Sequence, residues 1–284
     1  MSNASSLPRS VWLVTGCSTG FGHELAAELL RRGHRVVLTA RDTSTIAELA
    51  AEHPDRALAV ELDVTNPGQV EHALRAAERA FGTIDVLVNN AGYGYYAAIE
   101  EGDEPAVRAM FETNFFALVR LMRAVLPAMR ARRGGTIVNI SSAAAHVAHP
   151  GSGYYAATKA AVESVSEALS KEVAPLGIRV LLVEPGPFRT RFVANARGEI
   201  AVRDPDYEST VGVRRASVHA GRGRERGDPV KAAGAIIDVV ASPSAPLRLV
   251  LGSQALGNIR GKLASFTQEI DRWQATTVAV DHPD

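Results

Sequence analysis

The chain has 284 residues, 46% of them hydrophobic and 22% charged, a composition that suits a globular protein with a substantial core. Its 31 Lys and Arg balance 31 Asp and Glu, so no net field favours nucleic acid or an anionic membrane surface. A single cysteine, Cys17, excludes an internal disulfide framework and suits a reducing cytoplasm, and the apolar runs are too short for a transmembrane helix.

The opening MSNASSLPRS lacks a charged start followed by an apolar stretch, so no secretory signal is expected and residues 1–9 read as a flexible tail. Residues 11–14 (VWLV) form a short apolar strand that runs straight into TGCSTGFG at 15–22. A helix is expected over 23–32, with Leu25, Ala26, Leu29 and Leu30 at helical spacing. Strand, glycine loop and helix in that order make a dinucleotide-binding context rather than a plain glycine turn. Gly16 permits the turn, Gly20 lets the backbone approach a pyrophosphate, and Gly22 lets the helix pack closely. The helix N-terminus offers free N–H groups to phosphate, with Ser18, Thr19 and Phe21 as further cofactor contacts.

Residues 33–40 read as a second strand closing a βαβ unit, and its exit selects the cofactor. A carboxylate there would bind the adenosine ribose 2′-hydroxyl of NAD. This strand instead ends on Ala40, and Arg41 follows; an arginine at that corner can take a 2′-phosphate, with Ser18 adding a hydroxyl. NADP(H) is therefore preferred and NAD(H) is the second choice. Asp42 is the competing ribose ligand, but it is better placed to cap a helix over 43–51.

Residues 58–62 make a third strand ending at Asp63 and Val64. Asp63 could accept from the adenine amino group or cap a helix over 67–81; both roles stay open. A fourth strand, 84–88, runs into NNAG at 89–92, where the small residues let a cofactor lie across the strand end through Asn90, Ala91 and Gly92. A long amphipathic helix is expected over 104–130 with Asn114 inside it. A mid-helix Asn is slightly unfavourable, so it either faces solvent or has a specific task.

The apolar strand 135–140 leads into SAAAHVAHPGSGYYAATK at 142–159. Pro150, Gly151 and Gly153 mark a loop, and an Ala-rich helix follows to about residue 174. Tyr155 and Lys159 lie four apart and project from one face of that helix, while the strand end brings Ser142 near them. A phenol beside an ammonium, with a hydroxyl aimed at the same point, can pass a proton to or from a carbonyl or carbinol oxygen. The neighbouring cation is expected to lower the phenol from its usual value near ~10 by roughly 1–3 units. His146 and His149 lie in the same loop, but the nearby sequence offers no carboxylate or Cys ligands, so they are read as pocket lining and no metal is expected. Cys17 is read as packing.

Residues 178–183 form a sixth strand followed by EPGPFRT at 184–190. The Pro185–Gly186 turn should sit over a nicotinamide, with Phe188 and Thr190 beside it. Residues 191–227 lack sustained periodicity and read as a partly helical substrate lid, made basic by Arg214, Arg215, Arg222, Arg224 and Arg226. A solvated loop explains that charge run; an anionic or carrier-bound substrate is the sharper reading. A helix over 228–241, a seventh strand over 247–251 and a terminal helix over 254–274 complete a single domain spanning 10–275, with a tail at 276–284.

With these residues in hand, the chain resembles the single-domain branch of the short-chain dehydrogenase/reductase family. TGCSTGFG, Asp63-Val64, NNAG, Asn114, Ser142, Tyr155-x-x-x-Lys159 and PGPFRT occur in the family's order over residues 11–190. The start TGCS and Arg41 look like NADP-linked hydroxysteroid and retinol dehydrogenases. The resemblance implies an α/β fold, one Rossmann-type doubly wound parallel sheet of seven strands in the order 3-2-1-4-5-6-7. It also implies that Tyr155 is the general acid or base, that Lys159 binds the nicotinamide ribose and lowers the phenol, and that Ser142 holds the substrate oxygen. Asn114 would hold a water in a proton relay, Asn90 and Gly92 would meet the adenosine side, and Thr190 the nicotinamide amide or pyrophosphate. Tyr154 is rejected because Thr158 stands where its lysine would be. The implied activity is NADP(H)-dependent interconversion of a ketone and a secondary alcohol on a small molecule, in a homo-oligomer paired through the helices 104–130 and 151–174. Its competitor is a non-catalytic dinucleotide sensor, which would not need Ser142, Tyr155, Lys159 and Asn114 together.

Overall fold

A computed structural model of the chain describes residues 10–190, 192, 196 and 204–282. Its centre is one sheet of β1 (Val11–Val14), β2 (Arg35–Ala40), β3 (Ala57–Glu61), β4 (Val86–Asn89), β5 (Gly135–Ile140), β6 (Ile178–Pro185) and β7 (Arg248–Leu251). The order is β3-β2-β1-β4-β5-β6-β7 and every neighbouring pair is parallel, as expected. The helices are α1 (Gly20–Arg31), α2 (Ala47–Ala51), α3 (Pro67–Phe81), α4 (Glu104–Phe111), α5 (Ala117–Arg132), α6 (Gly153–Val173), α7 (Val213–Ala220), α8 (Pro229–Ala241) and α9 (Ser253–Val278).

The strands read as unbroken apolar runs because both faces of the sheet are covered. Successive side chains point to opposite faces, so each strand feeds two cores. Leu13, Val37, Leu87, Ile137 and Leu182 join one core with residues of α3, α5 and α6. Their neighbours Trp12, Val14, Val36, Leu38, Val88, Val138 and Leu181 join the other with residues of α1 and α8. Each such side chain contributes about 1.5–3 kcal/mol by leaving water. The chain turns in opposite directions from β1 and from β4, which opens a crevice at their carboxyl ends.

Several expected boundaries move. The helix read as 23–32 begins at Gly20, because the loop glycine also forms the first helical turn. The helix read as 104–130 is α4 and α5 joined by a π-helical turn, Glu112–Phe116, that carries Asn114. The cap of α3 is Asn66, whose Oδ1 accepts from the Gly68 and Gln69 amides at 3.0 and 3.2 Å. Asp63 therefore has no capping role; its Oδ1 accepts from the amide and hydroxyl of Thr65. Asp42 does cap the turn after β2, accepting from the Ser44 amide at 2.9 Å. The lid region contributes Pro205–Tyr207, Glu208–Gly212 and α7, and the rest of 191–203 lies outside the described residues apart from 192 and 196. The terminal helix α9 runs on past 274 to Val278, into the span read as a tail.

Candidate active site

The glycine loop is stitched to the end of β4 by hydrogen bonds. Thr15 Oγ1 donates to the Val88 carbonyl and accepts from the Asn90 and Ala91 amides at 2.9 and 3.0 Å. Asn90 Nδ2 donates to the carbonyls of Thr15 and Gly16 at 2.8 and 3.1 Å. Part of what was assigned to cofactor contact at Asn90 is thus spent on holding the loop. Gly16 and Gly20 have φ of +72° and +64°, a region closed to most L-residues. A Cβ at Gly22 would lie 2.3 Å from the Gly16 carbonyl oxygen, so only glycine lets α1 start that close to the loop. The Thr19 side chain makes no capping bond, which leaves the first N–H groups of α1 available to an anion.

These groups open into one cavity of about 1030 Å³. Every residue expected to hold the dinucleotide or carry the chemistry lines it, except Gly22 and Asn114. The volume lies at the upper end of the range for ligand pockets, and the donors of α1, Arg41 at the β2 exit and the Pro185–Gly186 turn border it together. A dinucleotide fits this set.

On the far wall stand Ser142, Tyr155 and Lys159. Ser142 Oγ accepts from the Ala144 amide at 3.1 Å, and its own O–H is directed at the Tyr155 phenol. Lys159 is 5% exposed; its Nζ donates to the Ile140 carbonyl at 2.6 Å and lies 5.9 Å from the centroid of the Tyr155 ring. Burial pushes the ammonium down to about 8. The phenol departs from expectation. Burial pushes Tyr155 above its ordinary value, and the Ser142 hydroxyl beside it works the other way. Desolvation of an anion outweighs a cation that is itself buried and held by a carbonyl. Tyr154 points elsewhere, its hydroxyl donating to the Ile99 carbonyl at 2.6 Å.

Asn114 sits behind the cavity wall, 1% exposed. Its Oδ1 accepts from the Tyr93 amide at 3.0 Å, and its Nδ2 donates to the Tyr93 carbonyl at 3.0 Å and to Thr158 Oγ1 at 3.2 Å. The π-helical turn aims this side chain inward, where it braces the loop after β4 against α6. It does not face solvent.

Carboxylates do stand beside one of the two loop histidines. His146 lies 3.1 Å from Glu184 Oε2, and the two residues with Glu163 offer ligand atoms within 4.8 Å of one another. The carboxylates come from β6 and α6, too far along the chain for loop spacing to reveal. Arg248 Nε stands 3.0 Å from Glu163 and 3.5 Å from Glu184, so a guanidinium already supplies the positive charge. His149 does line the cavity, whereas His146 does not. Cys17 is fully buried, pushed up to about 12 by desolvation, and its thiol donates to the Val14 carbonyl, as packing requires. Sequence reasoning missed Tyr93, Tyr96 and Phe192 of the cavity wall, and Gln254, Ala255 and Asn258 at the start of α9. The aromatic run after NNAG was a usable signal; the turn of α9 was not.

An open parallel sheet with a glycine loop at its switch point and a Ser, Tyr and Lys facing it defines a nicotinamide-dinucleotide oxidoreductase of the Rossmann type. Residues 10–201 match the model of the short chain dehydrogenase family, and the chain belongs to the short-chain dehydrogenase/reductases. It is 34% identical over 271 residues to oxidoreductase BOA17 of Botryotinia fuckeliana, covering 95% of this chain and 98% of that one. It is 38% identical over 241 residues to 3-ketodihydrosphingosine reductase of Bacteroides thetaiotaomicron, covering 84% and 87%. Among solved structures, a short-chain dehydrogenase from Streptomyces avermitilis matches with a TM-score of 0.90 at 41% identity, over 97% of this chain and all of that one. A short chain dehydrogenase from Burkholderia cenocepacia in complex with NADP matches at 0.72 and 29%, over 93% and 96%. A 3-ketoacyl-(acyl-carrier-protein) reductase from Brucella melitensis complexed with NADH matches at 0.71 and 28%, over 85% and 96%. No helix among the described residues is long and apolar enough to cross a membrane.

Proposed function

We propose that this protein is an NADP(H)-dependent oxidoreductase that interconverts a ketone and a secondary alcohol, with Tyr155 as the proton donor and acceptor. The convergence of Ser142, Tyr155 and Lys159 on the cavity that also holds the glycine loop carries the reading. The bound nicotinamide supplies the hydride chemistry. In reduction, Tyr155 Oη donates its proton to the oxygen of the carbonyl being reduced. Ser142 Oγ–H donates a hydrogen bond to that same oxygen and holds it against the phenol. A phenol raised by burial keeps its proton at neutral pH, which suits the donor role. Lys159 binds ribose hydroxyls, and Asn114 positions the wall through Tyr93 and Thr158 rather than touching substrate. Arg41 receives the adenosine 2′-phosphate, because Asp42 is committed to the Ser44 amide.

The basic lid supports an anionic substrate. Arg214, Arg224 and Arg226 line the cavity, and the charge of Arg214 bears on Tyr96 and His149 of the same wall. Neutralising Arg214 and Arg224 together is expected to raise KM at least tenfold for ketones bearing a carboxylate and to leave neutral ketones unchanged; equal effects on both would refute the anionic substrate. The chemistry itself is tested by following NADPH absorbance with a panel of carbonyl compounds for wild type and Tyr155→Phe. Loss of a general acid lowers kcat by roughly 10²–10⁴. Turnover that survives the substitution would remove Tyr155 from the mechanism, and NADPH binding without turnover of any carbonyl by wild type would favour a sensor.

A further inference from the structure

Ile259 is the last buried residue of α9, and every residue from 260 to 282 is exposed. The helical part of that span, 260–278, projects about 28 Å at 1.5 Å per residue. A helix of this kind draws its stability from packing of an apolar face rather than from propensity. It has such a face: Leu256, Ile259, Leu263, Phe266, Ile270 and Trp273 fall alternately three and four apart, the a and d positions of successive heptads. Beyond Ile259 these side chains are about half exposed or more, and Trp273 reaches 60%.

We propose that a second copy of this chain covers this face, its α9 running antiparallel to the first. The flanking charges select the occupant and its direction. Lys262 and Glu269 occupy successive g positions, while the e positions hold Arg260, Thr267 and Gln274. Antiparallel pairing sets g against g, so Lys262 meets the partner's Glu269, and two-fold symmetry repeats the pair. Parallel pairing sets g against e and matches Lys262 with threonine and Glu269 with glutamine. The register that places Leu263 opposite the partner's Phe266 also places Leu256 opposite the partner's Trp273, while the partner's Ile270 comes beside Ile259, which its own chain already buries. The Leu256–Trp273 and Leu263–Phe266 pairings, each repeated by the two-fold axis, give four layers of exposed side chains. A membrane surface fits less well: over 260–278, Arg260, Lys262 and Arg272 are nearly balanced by Glu269 and Asp271, whereas a helix lying on anionic lipid carries a strongly cationic polar face.

The pairing also reaches the cavity. Gln254, Ala255 and Asn258 in the first turns of α9 line it, and a Cβ at Gly186 would lie 3.1 Å from that of Ala255. The partner's Trp273 would settle on Leu256 in the same turn, so association braces the wall behind the Pro185–Gly186 turn. This surface is independent of the reaction assigned above.

Sedimentation equilibrium on the full chain tests the proposal. Phe266→Glu, at an exposed position, is expected to halve the wild-type mass and to shift the emission of Trp273 to the red, while the fully buried Trp12 serves as a constant background. Lys262→Glu is expected to weaken association at least tenfold, and the double variant Lys262→Glu/Glu269→Lys to restore it. A mass that Phe266→Glu leaves unchanged would overturn the proposal, as would a charge series without effect. So would a wild type of single-chain mass, including one that sediments with vesicles containing phosphatidylserine.

Discussion

Lys159 Nζ donates to the carbonyl oxygen of Ile140 at 2.6 Å, tying the second turn of α6 to the last residue of β5. That one bond fixes the helix face carrying Tyr155 against the strand end carrying Ser142. It also keeps an ammonium out of water, and the consequence is measurable.

Burial holds Lys159 near about 8, below its ordinary 10.5. Between these values the unfolded chain binds a proton at this site and the folded chain does not, so this group makes stability rise with pH across that window. Below pH 8 the folded state carries the full cost of the buried charge. Lys159→Met is therefore expected to be inactive yet more stable than wild type at pH 7, by roughly 2–3 kcal/mol. Urea unfolding at pH 7 and pH 10 checks it: the gap should close at the higher pH, and a gap that does not change with pH would contradict a buried charge.

Asn114 satisfies both backbone groups of Tyr93. Asn114→Ala removes three buried hydrogen bonds, two to the Tyr93 backbone and one to Thr158 Oγ1, each worth about 0.5–1.5 kcal/mol. A loss of roughly 2–4 kcal/mol in urea unfolding is expected. A change below about 0.5 kcal/mol, the range of neutral surface substitutions, would show that the brace is not structural.

Arg248 balances Glu163 and Glu184, of which the second is pushed up by burial and by the first. Arg248→Met takes the guanidinium from Glu163 and Glu184, leaving His146 beside Glu184, and is expected to cost roughly 2–4 kcal/mol at pH 8. A raised carboxyl takes up a proton in the folded state before the unfolded one does, so the penalty should shrink toward pH 5. Thermal unfolding at both pH values decides; equal penalties would mean that the carboxyls do not titrate together with the loss of the arginine.

Arg41 lines the cavity at the exit of β2, where Ala40 offers no carboxylate. Arg41→Ala is expected to raise the NADPH dissociation constant about 10- to 100-fold, the worth of one charged hydrogen bond, and to leave NADH unchanged. Fluorescence titration with both dinucleotides separates the outcomes, and equal weakening would assign Arg41 to the shared part of the cofactor.

Much of this protein was already present in one dimension. Apolar runs buried on both faces, glycine loops and a Tyr and Lys four apart are local patterns, because strand and helix periodicity and positive-φ turns act over a few residues. From them the strands, the glycine loop and the Ser142, Tyr155 and Lys159 face could be read before any coordinates, and the strand order followed from the family resemblance. Only the tertiary structure decided that Glu163 and Glu184 gather beside His146 and share Arg248, that Asn114 turns inward on a π-helical bend, and that burial raises the Tyr155 phenol. Those depend on which distant segments share a low-dielectric interior. Desolvation and long-range pairing are properties of packing, and no spacing along a chain encodes them.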